Sequence, residues 1–387
     1  MPLRRLMPVV AALAALATAL SVAANDAPPQ NAAPDPALQQ LAQNVTVPEG
    51  FEMTIFADNV PNARSLEWTP NGTLFVGSRA AGNVYAIRDD DNNGAADGVL
   101  TIDSGLYQPN GVVFHNGALY VSTITQILRY DDIEANLNNP PEPVVVYSGL
   151  PDAHHGWKYL RLSPDEERLF FQIGAPCNVC DPDDPRFSTI SSITLDGADF
   201  QIYASGVRNS VGFDFHPETG ELWFTDNGRD SMGDNIPPDE LNHAPEPGLH
   251  FGFPYCHGDT VLDPGFGFEG ACEQYVTPVQ NLGPHVAALG MRFYDGEQFP
   301  AEYENQIFIA EHGSWDRSER IGYRVTLVRL DEDGTATSYE DFATGWLQPD
   351  GSFWGRPVDL ELMPDGSMLV SDDHRGTIYR IRYVGEG

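Results

Sequence analysis

The sequence predicts an all-β fold, a six-bladed β-propeller, from two observations. A strand-turn-strand phrase recurs six times between residues 65 and 373, and no segment beyond residue 43 shows sustained helical periodicity. Polar and apolar residues alternate in each strand, and Asn-Gly or Asp-Gly turns join several of the pairs, as in β-hairpins. Irregular spacing of the copies favours propeller blades over a tight solenoid. A pair of open β-sandwiches is the runner-up, but it does not account for six copies of one phrase.

The copies can be followed in chain order. They read SLEWTPNGTLFVGS from Ser65, GVVFHNGALYVST from Gly111, YLRLSPDEERLFFQIG from Tyr159, VGFDFHPETGELWFTDNG from Val211, LGMRFYDGEQFPAEYENQIFIAEHG from Leu289 and VDLELMPDGSMLVSDD from Val358. A third strand follows several of them, in GNVYAIRD, QILRYDD, YRVTLVRLD and GTIYRIRY. Inner strands of a propeller converge on a central channel, so we expect the loops that enter the copies to form one polar site.

The N-terminal residues have the layout of a secretory signal peptide. Two arginines precede an apolar run over residues 6–22, which is followed by small residues. We expect a signal peptide over 1–24, a flexible Pro/Ala-rich leader over 25–47 and the propeller over 48–387. A retained membrane anchor is the alternative. No later segment is long and apolar enough to span a membrane, which predicts a soluble mature protein in the periplasm or outside the cell.

The chain is strongly acidic, with a formal net charge of −35 and a single lysine, Lys158. This charge excludes nucleic acids and anionic membranes as partners, because like charges repel. An acidic surface keeps a protein soluble and steers basic partners towards it. Adaptation to a saline habitat explains the same composition equally well.

Four cysteines form two pairs that are close in the sequence, Cys177 with Cys180 and Cys256 with Cys272. In an exported chain an even number of cysteines predicts disulfides, and local pairing is the simplest connectivity. A redox-active CxxC motif would need a thioredoxin-like βαβ setting, which this pattern lacks. A zinc site built from the four cysteines is the alternative.

Polar residues gather where the copies begin and end. They are His154, His155 and Lys158 before the third copy, Arg208 and Asn209 before the fourth, Asp226 to Asp230 after it, His285 before the fifth, His312 and Ser314 after it, and Arg356 before the sixth. Together they predict a cationic pocket that contains histidine and suits a polyanionic cofactor or substrate. Surface-loop residues and ion pairs between blades are the structural alternative.

Two stretches have oxygen ligands in patterns that calcium uses. The first is a DxDxNGxxD loop made of Asp89, Asp91, Asn93, Gly94 and Asp97. A solvated acidic turn is the alternative, because Leu100 stands at the twelfth position and no helices flank the loop. The second stretch, residues 226–230, offers backbone carbonyls as well as side chains to a metal in the pocket.

At these residues the sequence resembles the soluble glucose/sorbosone dehydrogenase family that depends on pyrroloquinoline quinone (PQQ). The likeness is greatest to its sorbosone-dehydrogenase-like branch and to the related fungal pyranose dehydrogenases, and it covers residues 48–383. The most specific phrases are HHGWKYLRLSPD, GAPCNVC, ASGVRNSVGFDFHP, TDNGRD, HGSWDRS and GRPVDLELMPDGSMLVSDD. The resemblance implies a central pocket that holds PQQ against a calcium ion, with a histidine as base.

Roles carry over to the positions that match. His155 looks like the catalytic base, Arg208 and Asn209 match a pair that contacts PQQ, Arg356 matches one arginine near the cofactor carboxylates, and Gly228 and Arg229 match positions whose backbone carbonyls hold calcium. Arg64 and His285, at entrance positions, are further candidate cofactor contacts. Two departures put glucose-dehydrogenase-like substrate handling in doubt: Val358 replaces a second arginine, and the region 314–317 replaces a lysine. Lys158 and Arg317 are the candidate substitutes.

The resemblance implies oxidation of a sugar or a related alcohol or aldehyde by hydride transfer to PQQ, with calcium polarising the quinone. The chain has no CxxCH haem-attachment motif, so the electrons would pass to an external acceptor such as a cytochrome or a quinone. A calcium-dependent lactonase or another hydrolase on the same fold is one rival interpretation. A secreted propeller that only binds ligands is the other.

Overall fold

The computed structural model describes residues 35–385, which form a ring of β-sheets. The chain begins with helix α1 (Pro36–Gln43) and strand β1 (Phe51–Ala57). Blade 1 consists of β2 (Ala63–Trp68), β3 (Thr73–Ser78), β4 (Val84–Arg88) and β5 (Gly98–Asp103). Blade 2 consists of β6 (Val112–His115), β7 (Ala118–Ser122), β8 (Gln126–Tyr130) and β9 (Val144–Ser148). Blade 3 consists of β10 (Arg161–Leu162), β11 (Arg168–Ile173), β12 (Thr189–Thr194) and β13 (Gln201–Ser205).

Blade 4 contains a long insertion before its outermost strand. Its sheet contains β14 (Phe213–Phe215), β15 (Leu222–Asp226), β16 (Glu240–Ala244) and β20 (Gln280–Asn281). Within the insertion, β17 (Leu249–His250) pairs in parallel with β13 of blade 3, and β18 (Cys256–His257) and β19 (Val261–Leu262) form a two-stranded sheet. Blade 5 consists of β21 (Ala288–Phe293), β22 (Ile307–Glu311), β23 (Arg324–Leu330) and β24 (Ala336–Ala343). Blade 6 contains β25 (Pro357–Leu362), β26 (Met368–Asp372) and β27 (Thr377–Tyr383). Short 3₁₀ helices lie at Ile133–Asn136, Cys272–Gln274 and Ala301–Tyr303.

The predicted six-bladed β-propeller is confirmed, and each predicted hairpin supplies the two inner strands of one blade. Apolar clusters lie between neighbouring blades, which explains why strands such as β3 are buried along their whole length. Phe75 of blade 1, for example, stacks on Phe114 of blade 2 with ring centroids 6.1 Å apart. Packing between blades, rather than within one sheet, therefore forms the core.

The two ends of the chain meet in blade 6. Strand β1 pairs antiparallel with β27, from Phe51 opposite Tyr383 to Ala57 opposite Ile378. Helix α1 packs beside this blade and buries Ala42. Residues 36–43 of the leader predicted over 25–47 form this helix and pack on the folded unit. The predicted signal peptide, 1–24, lies outside the described residues.

Both predicted disulfides form, Cys177 with Cys180 and Cys256 with Cys272. The first closes a short loop after β11, and the second braces the insertion in blade 4. Within residues 35–385 no helix has the length and apolar character needed to cross a membrane.

Candidate active site

The innermost strands β2, β6, β10, β14, β21 and β25 surround the central channel. Neighbours in this ring contact one another from β10 through β6, β2, β25 and β21 to β14, and an ion pair between Arg161 and Asp214 joins β10 to β14. Inner strands of a propeller run in the same direction, so the loops that enter them share one side of the ring. We call this side the entrance face. Loops that follow the second strand of each blade return to the same face, which brings residues from both kinds of loop together.

His155 is buried where the chain approaches β10, with 6% of its surface exposed. Its Nδ1 lies 2.8 Å from the carbonyl oxygen of Ala175. A carbonyl only accepts hydrogen bonds, so Nδ1 carries the proton and the lone pair is on Nε2. Burial and the positive charge of Arg208 lower the pKa of His155 to about 3. The ring is therefore neutral at neutral pH and able to accept a proton, while His154 next to it is exposed.

Arg208 is buried and oriented by the disulfide loop of Cys177 and Cys180. Its guanidinium donates to the backbone and side-chain oxygens of Asn178 at 2.8 and 2.9 Å, and to the carboxylate of Asp230 at 3.0 Å. Asn178 also donates to the carbonyl of Asp230 at 3.0 Å and accepts from its N–H at 2.8 Å. A short covalent loop therefore presents the side chain that positions Arg208.

Asn209 follows Arg208 and has an unsatisfied acceptor. The carboxylate of Asp226 accepts the backbone N–H of Arg208 at 2.7 Å and that of Asn209 at 2.6 Å, which fixes the main chain. Asn209 is buried, yet its Oδ1 has no partner within residues 35–385. An unpaired buried acceptor costs about 1–3 kcal/mol, so a ligand with a donor group at this position would be favoured.

A second group of charges is centred on Asp373, after β26. Its carboxylate pairs with Arg64 at 3.0 Å, with Arg356 at 2.9 Å and with Nε2 of His312 at 3.0 Å. Burial opposes ionisation, but His312 and the two arginines hold the pKa of Asp373 well below its usual range. Nε of Arg356 is buried and has no partner in the described part of the chain. We call His155, Arg208, Asn209, Arg64, Arg356 and Asp373 the entrance cluster.

Arg79 adds another cation between these groups. Its guanidinium lies 3.8 Å from the ring centroid of Trp157, a cation–π contact. Burial, with a smaller effect of Arg64, lowers its pKa to about 10, so it stays protonated at neutral pH. Together with Arg79, the entrance cluster contains four arginines, whose carboxylate partners are Asp373 and Asp230. This local excess of positive charge favours an anionic ligand.

The calcium residues predicted in the pocket lie at its edge. The N–H of Gly228 donates to Asp239 at 2.8 Å, and the guanidinium of Arg229 pairs with Asp263 at 2.5 Å. Asp263 also contacts His257 at 3.1 Å. The side chain of Arg229 thus ties the blade-4 insertion to the entrance face, and only its backbone is available for the predicted role.

The predicted acidic loop has the compactness of a cation site. One carboxylate oxygen from each of Asp89, Asp91 and Asp97 lies within 4.8 Å of the other two, and Asn93 shares the loop. The loop connects β4 to β5 and therefore lies on the side opposite the entrance face. A calcium ion bound there would be remote from the entrance cluster.

Two predicted cofactor contacts do not join the entrance cluster. Lys158 is fully buried, and its Nζ donates to the carbonyl of Gly156. Among the hydrogen bonds and ion pairs of residues 35–385, its ammonium therefore reaches no member of the entrance cluster. Arg317 donates to the backbone carbonyls of Asp234 and Pro284, which holds the loop beside His285.

A groove of about 1140 Å³ lies next to Arg356. Polar side chains such as Gln348 and Ser352 line it together with the aromatic rings of Tyr323 and Phe353. Trp315 stands at its edge with 74% of its surface exposed. Aromatic faces combined with hydrogen-bonding groups are suited to small polar molecules that also have apolar surfaces.

Sequence reasoning missed several residues of the site. Asn178 lies in the GAPCNVC phrase, which supports the family resemblance and predicts a disulfide but indicates no role for Asn178 itself, and Asp373 ends the sixth copy without a predicted role. The second strand of a blade ends at Asp226 in β15 and is directly followed by Arg79 after β3 and by His312 after β22. Position after the second strand of a hairpin was therefore a usable signal.

Comparisons with known proteins agree with this architecture. A family model described as "Domain of unknown function (DUF7133)" matches residues 37–384. An uncharacterized protein of Borreliella burgdorferi is 36% identical over 360 residues, which cover 90% of this chain and 93% of the relative. A pyrroloquinoline quinone-dependent sugar dehydrogenase of Hypocrea jecorina is 23% identical over 86% of this chain and 87% of the relative.

Solved structures share the fold. The calcium structure of a Trichoderma reesei carbohydrate-active enzyme of family AA12 superposes with a TM-score of 0.77, at 20% identity, over 88% of this chain and 98% of that one. The resemblance to PQQ-dependent sugar dehydrogenases inferred from the sequence is thereby confirmed, without distinguishing the sorbosone branch.

Proposed function

We propose that this chain, which belongs to the family described as "Domain of unknown function (DUF7133)", is a PQQ-dependent dehydrogenase that oxidises a sugar or a related alcohol or aldehyde. The observation that carries the proposal is the entrance cluster, where a neutral buried histidine lies among arginines in excess of their carboxylate partners. This arrangement suits a cofactor with several carboxylates beside a proton acceptor.

The residues present fit PQQ. Arg208, Arg64 and Arg356 would hold its carboxylates, because the guanidinium fork matches carboxylate geometry. The orphaned Oδ1 of Asn209 and the orphaned Nε of Arg356 would gain partners from it. PQQ supplies a two-electron acceptor when it is bound.

His155 would act as the base. The lone pair on Nε2 accepts the hydroxyl proton of the substrate, while the bond from Nδ1 to Ala175 fixes the ring. The lowered pKa keeps the ring unprotonated across the neutral range. An anionic cofactor would offset the charge of Arg208 and raise this pKa towards the working pH, which strengthens the base.

Calcium and the redox partners belong to the same proposal. Backbone carbonyls of Gly228 and Arg229 would hold the calcium beside the cofactor, and the groove next to Arg356 would admit the substrate. Electrons would leave to an external cytochrome or quinone in the periplasm or outside the cell. The acidic surface would favour a basic acceptor.

The test is reconstitution of purified PQQ-free protein. PQQ and calcium should together restore dye-linked oxidation of sugars, and chelation should release PQQ and lower the melting temperature in parallel, because a ligand that binds only the folded state stabilises it. Hydrolysis of lactones without PQQ, or tight ligand binding with no turnover, would replace the proposal with a hydrolase or a binding propeller.

A further inference from the structure

A group of three side chains on the entrance face has geometry that the proposed cofactor contacts do not explain. Asp230 follows β15, His285 precedes β21 and Asp316 follows β22, so blades 4 and 5 both contribute. One ligand atom from each residue lies within 4.8 Å of the other two. We call these residues the interblade triad.

His285 supplies the observation that points to a ligand. Only 6% of its surface is exposed, and Nδ1 is buried without a partner in residues 35–385. Nε2 lies 3.0 Å from the carbonyl of Gly233 and 3.1 Å from that of Ile236. Since carbonyls only accept, Nε2 bears the proton, and Nδ1 keeps a lone pair that nothing satisfies. A neutral imidazole with one free nitrogen is a common metal ligand.

The two carboxylates leave oxygens available. Asp230 pairs with Arg208 through one oxygen at 3.0 Å. Asp316 accepts the backbone N–H of Ser231 at 2.5 Å and makes no ion pair within the described residues. Two carboxylates this close repel each other, and a divalent cation between them would remove that cost.

We propose that the interblade triad binds one divalent first-row transition-metal ion, such as Zn²⁺ or Mn²⁺, independently of PQQ. Imidazole nitrogen combined with carboxylate oxygen suits these ions, whereas calcium takes oxygen ligands alone. Metal–ligand bonds of about 2.1 Å place ligand atoms about 3.4 Å apart, so the side chains would close by about 1 Å on binding. The ion would fasten blade 4 to blade 5 and steady Asp230, a partner of Arg208.

The triad would bind its ion through side chains, whereas the calcium expected next to it would use the backbone carbonyls of Gly228 and Arg229. It needs neither PQQ nor substrate, so its test does not depend on the proposed dehydrogenase activity. Full-length protein prepared without PQQ and stripped by chelation is titrated with ZnCl₂ or MnCl₂ alone. Calorimetry measures affinity, elemental analysis counts the bound metal, and Mn²⁺ electron paramagnetic resonance reports its surroundings.

Wild-type protein should bind one more Zn²⁺ than Asp316→Asn or His285→Ala, or bind it at least about tenfold more tightly. Asp316→Asn keeps the size of a half-buried side chain, so it decides the question if His285→Ala fails to fold. His243→Ala removes a histidine that pairs with Glu221 outside the triad and should bind like wild type. Asp89→Asn controls for metal held by the remote acidic loop. Equal stoichiometry and affinity in wild type, Asp316→Asn and His285→Ala, or no binding by wild type at millimolar metal, would overturn the proposal.

Discussion

The inner strands hold two groups of buried charges that differ in how well their members are paired. The entrance cluster lies where these strands begin. Further along the same strands, Glu67, Arg161, Asp214, Arg292 and Glu361 come from five different blades, and we call them the channel ring. Both groups are buried and charged, so burial of charge alone does not separate a functional site from a structural one.

The channel ring pairs its charges internally. Arg161 pairs with Asp214 at 2.8 Å, and Arg292 pairs with Glu361 at 2.8 Å. Arg161 also reaches to 3.9 Å from Glu361, although blades 3 and 6 stand opposite each other, so these side chains fill the channel axis. Burial, together with the charge of Glu361, raises the pKa of Glu67 to about 7, which limits the negative charge of the ring.

The entrance cluster is instead cationic and incomplete. Arg64 and Arg356 share the single carboxylate of Asp373, and buried atoms of Asn209 and Arg356 have no partner in residues 35–385. The ring contains one such atom, Nε of Arg292. An excess of one charge together with unmet hydrogen bonds therefore distinguishes a ligand site from an internal brace in this protein.

The largest expected effect is on turnover. His155→Ala should leave PQQ affinity mostly intact, because the arginines remain, and should lower kcat at least about 100-fold, the lower end of general-base contributions. Steady-state kinetics on PQQ-saturated enzyme measure the change. His154→Ala is the matched control, since its exposed ring should contribute little. Equal small effects of the two changes would move the base elsewhere, with His285 and His312 next to test.

Exchanging one arginine in each group should give opposite results. Arg208→Met should weaken PQQ binding by about 2 kcal/mol or more, roughly 30-fold, because a buried charged contact is lost. Arg292→Met should lower the free energy of unfolding by about 3 kcal/mol, because it leaves Glu361 buried without its nearest partner, while folded protein keeps wild-type PQQ affinity. Denaturant titration and fluorescence titration with PQQ measure the two effects. If the two variants lose PQQ affinity and free energy of unfolding to the same extent, the distinction between the two groups is wrong.

Asn178→Ala tests whether the disulfide loop orients Arg208. PQQ affinity should fall about tenfold, as for other residues that position a ligand-binding side chain, with KM for the sugar little changed. Asn305→Ala removes an exposed amide that bonds Glu218 far from the pocket and should bind PQQ normally. Unaltered PQQ affinity in Asn178→Ala would show that Asp230 and the carbonyl of Asn227, which accepts from the guanidinium at 3.1 Å, suffice to hold Arg208.

A further prediction concerns pH and lies beneath the entrance cluster. Glu240 faces Asp226 across the β15–β16 pair, and burial raises its pKa to about 7. A carboxyl whose pKa is raised by folding stabilises the protein at low pH, and this stability is lost as pH rises from about 4.5 to 7, roughly 1.4 kcal/mol for each pKa unit. Relative to wild type, Glu240→Gln should therefore gain melting temperature over this interval. The test is how the difference in melting temperature between variant and wild type changes with pH. Its absolute size is not informative, because Gln cannot accept both hydrogen bonds of Glu240. A constant difference across the interval would contradict the raised pKa.

Local patterns explain why much of the fold was predictable. Strand alternation and turn residues are encoded within one hairpin, so all six hairpins were placed correctly, and His155 and Arg208 could be found just before them. The pairing of β1 with β27 joins the two ends of the described chain, and no pattern within either strand's sequence indicates its partner. Residue type suggests Lys158 as a cofactor contact, whereas the bond of its Nζ to the carbonyl of Gly156 depends on the local backbone conformation and leaves no pattern in the sequence.

Blade 6 combines β1 with β25–β27, and this determines when the blade can be completed during synthesis of the chain. A ribosome that has delivered five blades still leaves β1 as an open edge, since its partner β27 ends at Tyr383. Unpaired edges invite association with other chains, and pairings so distant in sequence form slowly. The pair that joins β1 to blade 6 therefore forms only after β27 has been synthesised, and a nascent or proteolysed chain without β27 leaves β1 unpaired.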